Sequence, residues 1–198
     1  MLTIKQRKTY LKKLGYFKGK IDSKEDDELK KAYKDLQDDY FVRKKDRDGK
    51  YGPNTEKLLL NAYYVKKYTK DFDLKKDERF KCGCGGKYCT GYPGVLDIQL
   101  LKNIQRVRDK FGPTTITSGM RCRLYNNSLV GSSSTSRHMP NVTGRCRALD
   151  FDNAKTHTEA GRKTVMAYWK SLPKYNYTYC NLGGNHPNMG NSVHGDVK

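Results

Sequence analysis

The spacing of apolar residues changes near residue 80, and this change constrains the fold more than any other feature of the sequence. Before it, apolar residues recur at helical intervals in three segments, residues 4–16, 28–42 and 55–65. After it, amphipathic segments at 96–111 and 158–172 alternate with short runs typical of strands at 114–117, 148–152, 176–182 and 192–197. The pattern predicts two domains, an N-terminal all-α three-helix bundle (1–66) and a C-terminal α+β domain with a small, mostly antiparallel sheet (80–198). Residues 67–79 are highly charged and are predicted to be the linker.

Charge narrows the choice of partners. The formal net charge is +19, so the protein is expected to attract polyanions such as nucleic acid, anionic membranes or teichoic-acid-bearing wall. The sequence has no apolar run of about twenty residues to span a bilayer, and charges occupy the place of a signal peptide's apolar stretch. We therefore expect synthesis in the bacterial cytoplasm. No nucleic-acid-binding motif is recognisable, so nucleic acid is not expected as a partner.

The N-terminal segment carries turn signatures between its helices. They are LKKLGYFKGKID (11–22), LQDDYF (36–41) and DGKYGPNTEKLL (48–59), in which Pro53 suits the first turn of the third helix. With these motifs, residues 3–64 resemble the three-helix peptidoglycan-binding domain. The first turn departs from that pattern, because Asp22 is followed by Ser23 where the family has glycine. The resemblance implies attachment to the bacterial cell wall.

Three short motifs place metal-binding or anion-binding groups beside strand ends: SGMRC (118–122), TSRH…GRCRALD (135–150) and SVHGD (192–196). A catalytic zinc needs three His or carboxylate ligands and one open position for water. His138, Asp150 and His194 can supply them, with Asp152 as a rival to Asp150. Carboxylates are scarce after residue 80, where only six occur.

The order of these motifs resembles the zinc D-Ala-D-Ala carboxypeptidase family, which includes phage L-alanyl-D-glutamate endolysins and shares its fold with the hedgehog signalling domain. The resemblance covers residues 80–198. It implies a hedgehog/DD-peptidase-like fold with zinc bound by His138, Asp150 and His194. It further implies that Arg121 acts on a substrate carboxylate or the scissile carbonyl, with Ser118 and Ser136 on the substrate side. These six positions come from the family patterns S-G-x-R, S-x-H-x-x-G-x-A-x-D and H-x-D.

Two departures from the family pattern affect the interpretation. His138 and Asp150 are twelve residues apart, where the family has seven, so the segment between them must contain an inserted loop. The family's catalytic carboxylate, three residues before the last ligand, is replaced by Asn191. Asp196 is then the preferred general base, although it could equally serve only to orient His194. His186 is the alternative base.

Cysteine spacing leaves a second metal site open. Cys82, Cys84 and Cys89 lie in one glycine-rich segment, and Cys122 ends the SGMRC motif. The C-x-C spacing differs from the C-x-x-C of common zinc sites, so the sequence favours free thiols over a structural zinc.

The expected function is that of an endolysin: a zinc peptidase that hydrolyses an amide bond in the peptidoglycan stem peptide or cross-link by metal-activated water. Peptidoglycan is the expected partner, with anionic wall polymers as a further one, and the protein is expected to act as a monomer on the wall after release from the host cell. The alternative is a non-catalytic cell-wall-binding protein stabilised by zinc, which the Asn191 departure keeps open.

Overall fold

A computed structural model describes all residues from 1 to 198 and contains six α-helices and six β-strands. The helices are α1 (Ile4–Leu14), α2 (Asp27–Tyr40), α3 (Pro53–Tyr68), α4 (Ile98–Phe111), α5 (Arg123–Ser128) and α6 (Glu159–Lys170). The strands are β1 (Val95–Leu96), β2 (Thr114–Ser118), β3 (Arg145–Cys146), β4 (Ala148–Asn153), β5 (Tyr175–Cys180) and β6 (Val193–Val197). None of the helices combines the length and apolarity that a membrane span requires.

Helices α1, α2 and α3 overlap the three segments predicted to be helical, and their ends have local causes. The Thr3 side chain and Gln6 form a reciprocal capping box at the start of α1. Asp26 caps α2 by accepting a hydrogen bond from the Leu29 N–H. Helix α3 begins at Pro53, where the missing N–H has no partner to lose. Each of the three helices contributes fully buried apolar side chains to the interior of this part, among them Leu11, Leu36 and Leu58.

Buried polar groups hold the two turns between these helices. The Gln37 side chain lies inside the DGKYGPNT turn, donates to the Lys50 carbonyl and the Thr55 hydroxyl, and accepts from the Gly49 N–H. In the other turn, the buried Lys8 ammonium lies 2.8 Å from Asp22 Oδ1. The aspartate of the turn that departs from the family pattern is therefore paired with a charge in α1.

The C-terminal part is α+β, with a four-stranded antiparallel sheet in the order β2-β4-β6-β5. Helices α4 and α6 pack against one face of this sheet. Trp169 from α6 is fully buried there, donates to the Asp196 carbonyl and packs over Gly195. A Cβ at Gly195 would lie 2.5 Å from the Trp169 ring, so only glycine permits this close packing. The opposite face of the sheet is left open for a site.

The helical part and the α+β part share one continuous hydrophobic cluster. Asn61 of α3 is fully buried, donates to the Gly94 carbonyl and accepts from the Leu96 N–H at 2.8 Å. The segment predicted as a linker contributes to this cluster, because Phe72 and Leu74 are buried within it. Residues 67–79 are thus anchored to the fold at Phe72 and Leu74, while most of their other side chains are exposed.

Candidate metal centre

Strand pairing brings two of the predicted zinc ligands together. In the antiparallel pair formed by β4 and β6, Asp150 lies directly opposite His194 and Ala148 lies opposite Asp196. Directly opposed side chains point to the same face of a sheet. This is the face away from α4 and α6, because the alternate residues Leu149 and Phe151 belong to the buried core.

His138 reaches the same place from a loop. Its carbonyl accepts the Arg121 N–H at 2.9 Å, and the Arg147 N–H bonds the Arg137 carbonyl just before β4 begins. The extra residues between His138 and Asp150 form an ordered loop. In this loop Asn141 Oδ1 accepts hydrogen bonds from the backbone N–H groups of Thr143 and Arg145. The loop ends in β3, which pairs with β1. The inserted loop leaves His138 next to β4.

The three predicted ligands lie close enough to share one ion. His138 Nε2 is 3.3 Å from His194 Nδ1 and 3.4 Å from Asp150 Oδ1, and His194 Nδ1 is 2.8 Å from Asp150 Oδ1. Ligand atoms around a tetrahedral zinc, at about 2.0–2.2 Å from it, are separated by about 3.4 Å. All three side chains are buried, and Asp152 is not part of the cluster. The donor set therefore fits zinc in both chemistry and spacing.

Hydrogen bonds fix the available nitrogen of His138 and orient the His194 ring. The Gly119 carbonyl lies 2.7 Å from His138 Nδ1 and can only accept, so Nδ1 carries the proton and Nε2 keeps its lone pair. His194 presents Nδ1 to Asp150 and Nε2 to Asp196 Oδ2, which is 3.7 Å away. Both histidines are thus held with a ring nitrogen directed at Asp150.

The charges of the cluster shift the pKa values of its members. Burial lowers the pKa of His138 below its usual range. Burial would also lower the pKa of His194, but hydrogen bonds to Asp150 and Asp196 outweigh it and raise that pKa. Burial opposes ionisation of Asp150, yet the two histidines hold its pKa far below the ordinary value. Without metal, the cluster therefore favours a carboxylate next to a protonated His194.

Arg121 is attached to this cluster. Its Nη2 donates to Asp150 Oδ2 at 3.1 Å and to Ser118 Oγ at 3.0 Å, while its buried Nε has no partner. Ser118 lies at the end of β2, paired with Asp150. Ser136 lies on the cleft wall, in the turn that leads to His138. The predicted arginine and both serines are thus near the three ligands.

Asp196 is adjacent to the cluster but on the far side of the His194 ring. Its Oδ1 accepts the Tyr177 N–H at 2.6 Å and the Asn176 amide at 2.9 Å, and its Oδ2 lies 3.6 Å from Arg137 Nε. The carboxylate is buried, and both of its oxygens face donors. Asp196 therefore contacts the imidazole edge opposite to the one that faces Asp150.

A cleft of about 960 Å³ opens above the three ligands. Its only carboxylates are Asp150 and Asp196, and exposed His186 lies on its rim. Asn191, the residue at the family's carboxylate position, is exposed and does not line the cleft.

Two side chains of the cleft were missed by the sequence analysis. The Tyr179 ring stacks on His194 with centroids 4.6 Å apart, and the His186 ring lies 5.0 Å from the Tyr179 ring. Arg137 lines the cleft beside Asp196. The alternation of tyrosines in NYTYC on a strand next to SVHGD was the signal for Tyr179. Arg137 had only its position next to His138.

A sheet with a buried His-Asp-His cluster at the base of an open cleft defines a metallopeptidase type of site. A model of the Peptidase M15 family matches residues 72–179, which is more than half of the chain. The protein therefore belongs to the Peptidase M15 family, whose members are zinc-dependent metallopeptidases. Membership supports a zinc peptidase that acts on peptidoglycan and does not favour the non-catalytic alternative. No curated protein and no solved structure matches the chain.

The matched region includes His138 and Asp150 and ends before His194. It begins at residue 72, inside the segment predicted as a linker. The third predicted ligand, His194, follows the matched region and is brought next to Asp150 by the β4–β6 pairing.

Proposed function

We propose that this protein is an endolysin: a zinc peptidase that hydrolyses an amide bond in the peptidoglycan stem peptide or cross-link. The observation that carries the proposal is the spacing of His138 Nε2, Asp150 Oδ1 and His194 Nδ1, which suits one tetrahedral zinc at the base of a cleft large enough for a peptide. When bound there, zinc supplies a Lewis acid that activates water for attack on a carbonyl.

Arg121 and the two serines form the substrate side of the proposed site. The Arg121 guanidinium is fixed by Asp150 and Ser118, so it is already oriented before substrate binds. A fixed cation in a carboxylate-poor cleft favours substrates with free carboxylates, and it stabilises negative charge that develops on the scissile carbonyl oxygen. Stem peptides carry such carboxylates. Ser118 and Ser136 are proposed to bind the peptide backbone.

We assign different roles to the two candidate bases. Asp196 is buried, with both oxygens facing donors on the far side of His194, and this favours it as a positioning residue that orients the imidazole. His186 is exposed on the rim of the cleft, separated from His194 by the Tyr179 ring. It is the remaining titratable side chain that is free to accept the proton of the attacking water and return it to the leaving amine.

The N-terminal region (1–66) is proposed to attach the enzyme to the wall. Support comes from the turn motifs, in which Gln37 and Asp22 make the buried contacts described above. The high positive charge adds attraction to anionic wall polymers. In this proposal the enzyme is made in a phage-infected host and reaches the wall as a monomer after release.

Digestion of purified peptidoglycan tests the proposal. Wild type is compared with His138→Ala and His194→Ala, and His157→Ala is the matched control because His157 is exposed and outside the cleft. The proposal predicts that wild type and the control release new amino termini, whose identity names the bond, and that the two ligand variants release none. Bound zinc in wild type without any new amino terminus would instead support the non-catalytic wall-binding protein.

A further inference from the structure

A second group of metal-binding side chains lies outside the proposed catalytic cluster. The Sγ atoms of Cys82, Cys84, Cys89 and Cys122 all lie within 4.8 Å of one another. Three come from one glycine-rich loop, and the fourth comes from the loop that follows β2. Cys82 and Cys122 are buried, and Cys84 and Cys89 are partly exposed. The fold thus gathers four soft donors whose spacing in the sequence gave no common zinc motif.

The distances fit a shared metal ion and not a disulfide. Cys84 Sγ and Cys89 Sγ are 3.5 Å apart, and all six cysteines of the chain are free. A disulfide requires about 2.05 Å between the sulfurs. Four thiolates at about 2.3 Å from a tetrahedral zinc are separated by about 3.8 Å. The observed sulfur separation is close to the second value.

Backbone groups around the sulfurs resemble those of a thiolate site. The Cys122 N–H donates to Cys82 Sγ at 3.2 Å, a contact that stabilises negative charge on sulfur. Gly85 and Gly86 have positive φ values of 59° and 86°, which lets the loop turn sharply between Cys84 and Cys89. The Lys87 N–H closes this turn on the Cys84 carbonyl at 3.0 Å. The turn in this loop thus brings Cys84 and Cys89 to the same side.

We propose that Cys82, Cys84, Cys89 and Cys122 bind a second, structural zinc ion. A site made of four thiolates has no open position for water, which separates its role from that of the His-Asp-His cluster. The proposal replaces the free thiols favoured by the sequence. It does not depend on peptidase activity, since it rests on residues outside the catalytic cleft.

The cysteine cluster lies next to the loop that carries Arg121, so a metal bound there would also hold part of the cleft in place. Cys122 directly follows Arg121, and the carbonyl of nearby Gly119 holds His138 Nδ1. A Cβ at Gly119 would lie 2.4 Å from the Phe80 carbonyl oxygen, so this loop is packed tightly against the segment that leads to Cys82. On the other side of the cysteine loop, the Thr90 carbonyl accepts a hydrogen bond from the Val42 N–H at 3.3 Å. The zinc would therefore fasten the Arg121 loop to the cysteine loop and, through it, to the helical part.

Metal stoichiometry of the full chain tests the inference. Zinc per chain is measured by mass spectrometry for wild type, for the double variant His138→Ala/His194→Ala and for the double variant Cys84→Ser/Cys89→Ser. Cys180→Ala serves as the control, since Cys180 is free and is not part of this cluster. We expect about two zinc ions in wild type and in the control, and about one in each double variant.

Cobalt substitution identifies the metal-binding atoms without the cysteine variant. Its result therefore holds even if Cys84→Ser/Cys89→Ser does not fold. Cobalt bound to four thiolates gives intense sulfur-to-metal charge-transfer absorption, and this absorption should persist in His138→Ala/His194→Ala. A histidine variant without zinc or charge-transfer absorption would overturn the proposal, as would iron with acid-labile sulfide at the cysteines. If the wild-type protein cleaves no peptidoglycan but still holds zinc at the cysteines, the proposed function is refuted and the structural zinc is not.

Discussion

Replacement of Asp196 by asparagine separates an orienting role from a base role. The asparagine oxygen can still accept from Asn176 and Tyr177, which bond Oδ1 at 2.9 and 2.6 Å. The new NH₂ group takes the place of Oδ2, where it faces the ring nitrogen of His194 at 3.7 Å and Arg137 Nε at 3.6 Å. The substitution therefore removes the negative charge and places an NH₂ donor opposite two other donors, His194 and Arg137, with little change in side-chain volume.

Loss of such an orienting carboxylate typically weakens metal binding about 10–100-fold, which corresponds to about 1.4–2.7 kcal/mol. We expect Asp196→Asn to lower zinc affinity by this factor. At saturating zinc, kcat should fall less than about tenfold, because the proton acceptor is elsewhere. Affinity is measured by competition with a chromogenic chelator, and kcat on isolated stem peptide across a pH series. Asp152→Asn is the matched control, since Asp152 lies on β4 outside the cluster.

The opposite pattern would refute this assignment. Removal of a general base costs about 10²–10⁴ in rate and abolishes the acid limb of the pH profile. If Asp196→Asn keeps wild-type zinc affinity but shows that loss, Asp196 is the base and His186 is not.

Three further predictions follow from the fold and the cluster. Zinc affinity should fall about tenfold per pH unit below the raised pKa of His194, because the proton on Nδ1 must leave before metal binds; isothermal titration at several pH values measures this, and a pH-independent affinity would contradict it. Gly195→Ala should destabilise the fold by about 1–3 kcal/mol, since its Cβ would lie 2.5 Å from the buried Trp169 ring; thermal melting against Gly52→Ala, where the added Cβ has nothing within 4 Å, tests this, and equal melting temperatures would refute it. Asn61→Ala should cost about 1–3 kcal/mol for each backbone group left unpaired at Gly94 and Leu96, measured by urea unfolding beside an exposed asparagine variant; an unchanged midpoint would refute this role.

The regular elements could be predicted because their signals are local. Helix α3 begins at Pro53, as the sequence indicated, and α4 ends at Phe111, where the predicted amphipathic segment 96–111 ends. Helix α5 was missed because it is short and polar and its first residue is preceded by Cys122, which makes no capping hydrogen bond. Strands β1 and β3 have two residues each, and only their pairing in the folded chain defines them.

The candidate site could be predicted in its residue types but not in its orientations. Alternation along a strand indicated that His194 and Asp196 share a face, and the structure has them so. Which edge of the His194 ring meets Asp196 depends on side-chain rotamers and on donors from β5, so the sequence could not distinguish a base from an orienting group. The cysteine cluster was undervalued for a similar reason, because Cys122 joins it from a distant loop.

Diffraction from crystals of the zinc-loaded protein, recorded on both sides of the zinc absorption edge, tests the central claim most directly. We expect an anomalous peak in contact with His138 Nε2, Asp150 Oδ1 and His194 Nδ1. A zinc-loaded crystal with no peak among these three atoms, or with the metal on His194 Nε2 and Asp196 instead, would contradict it.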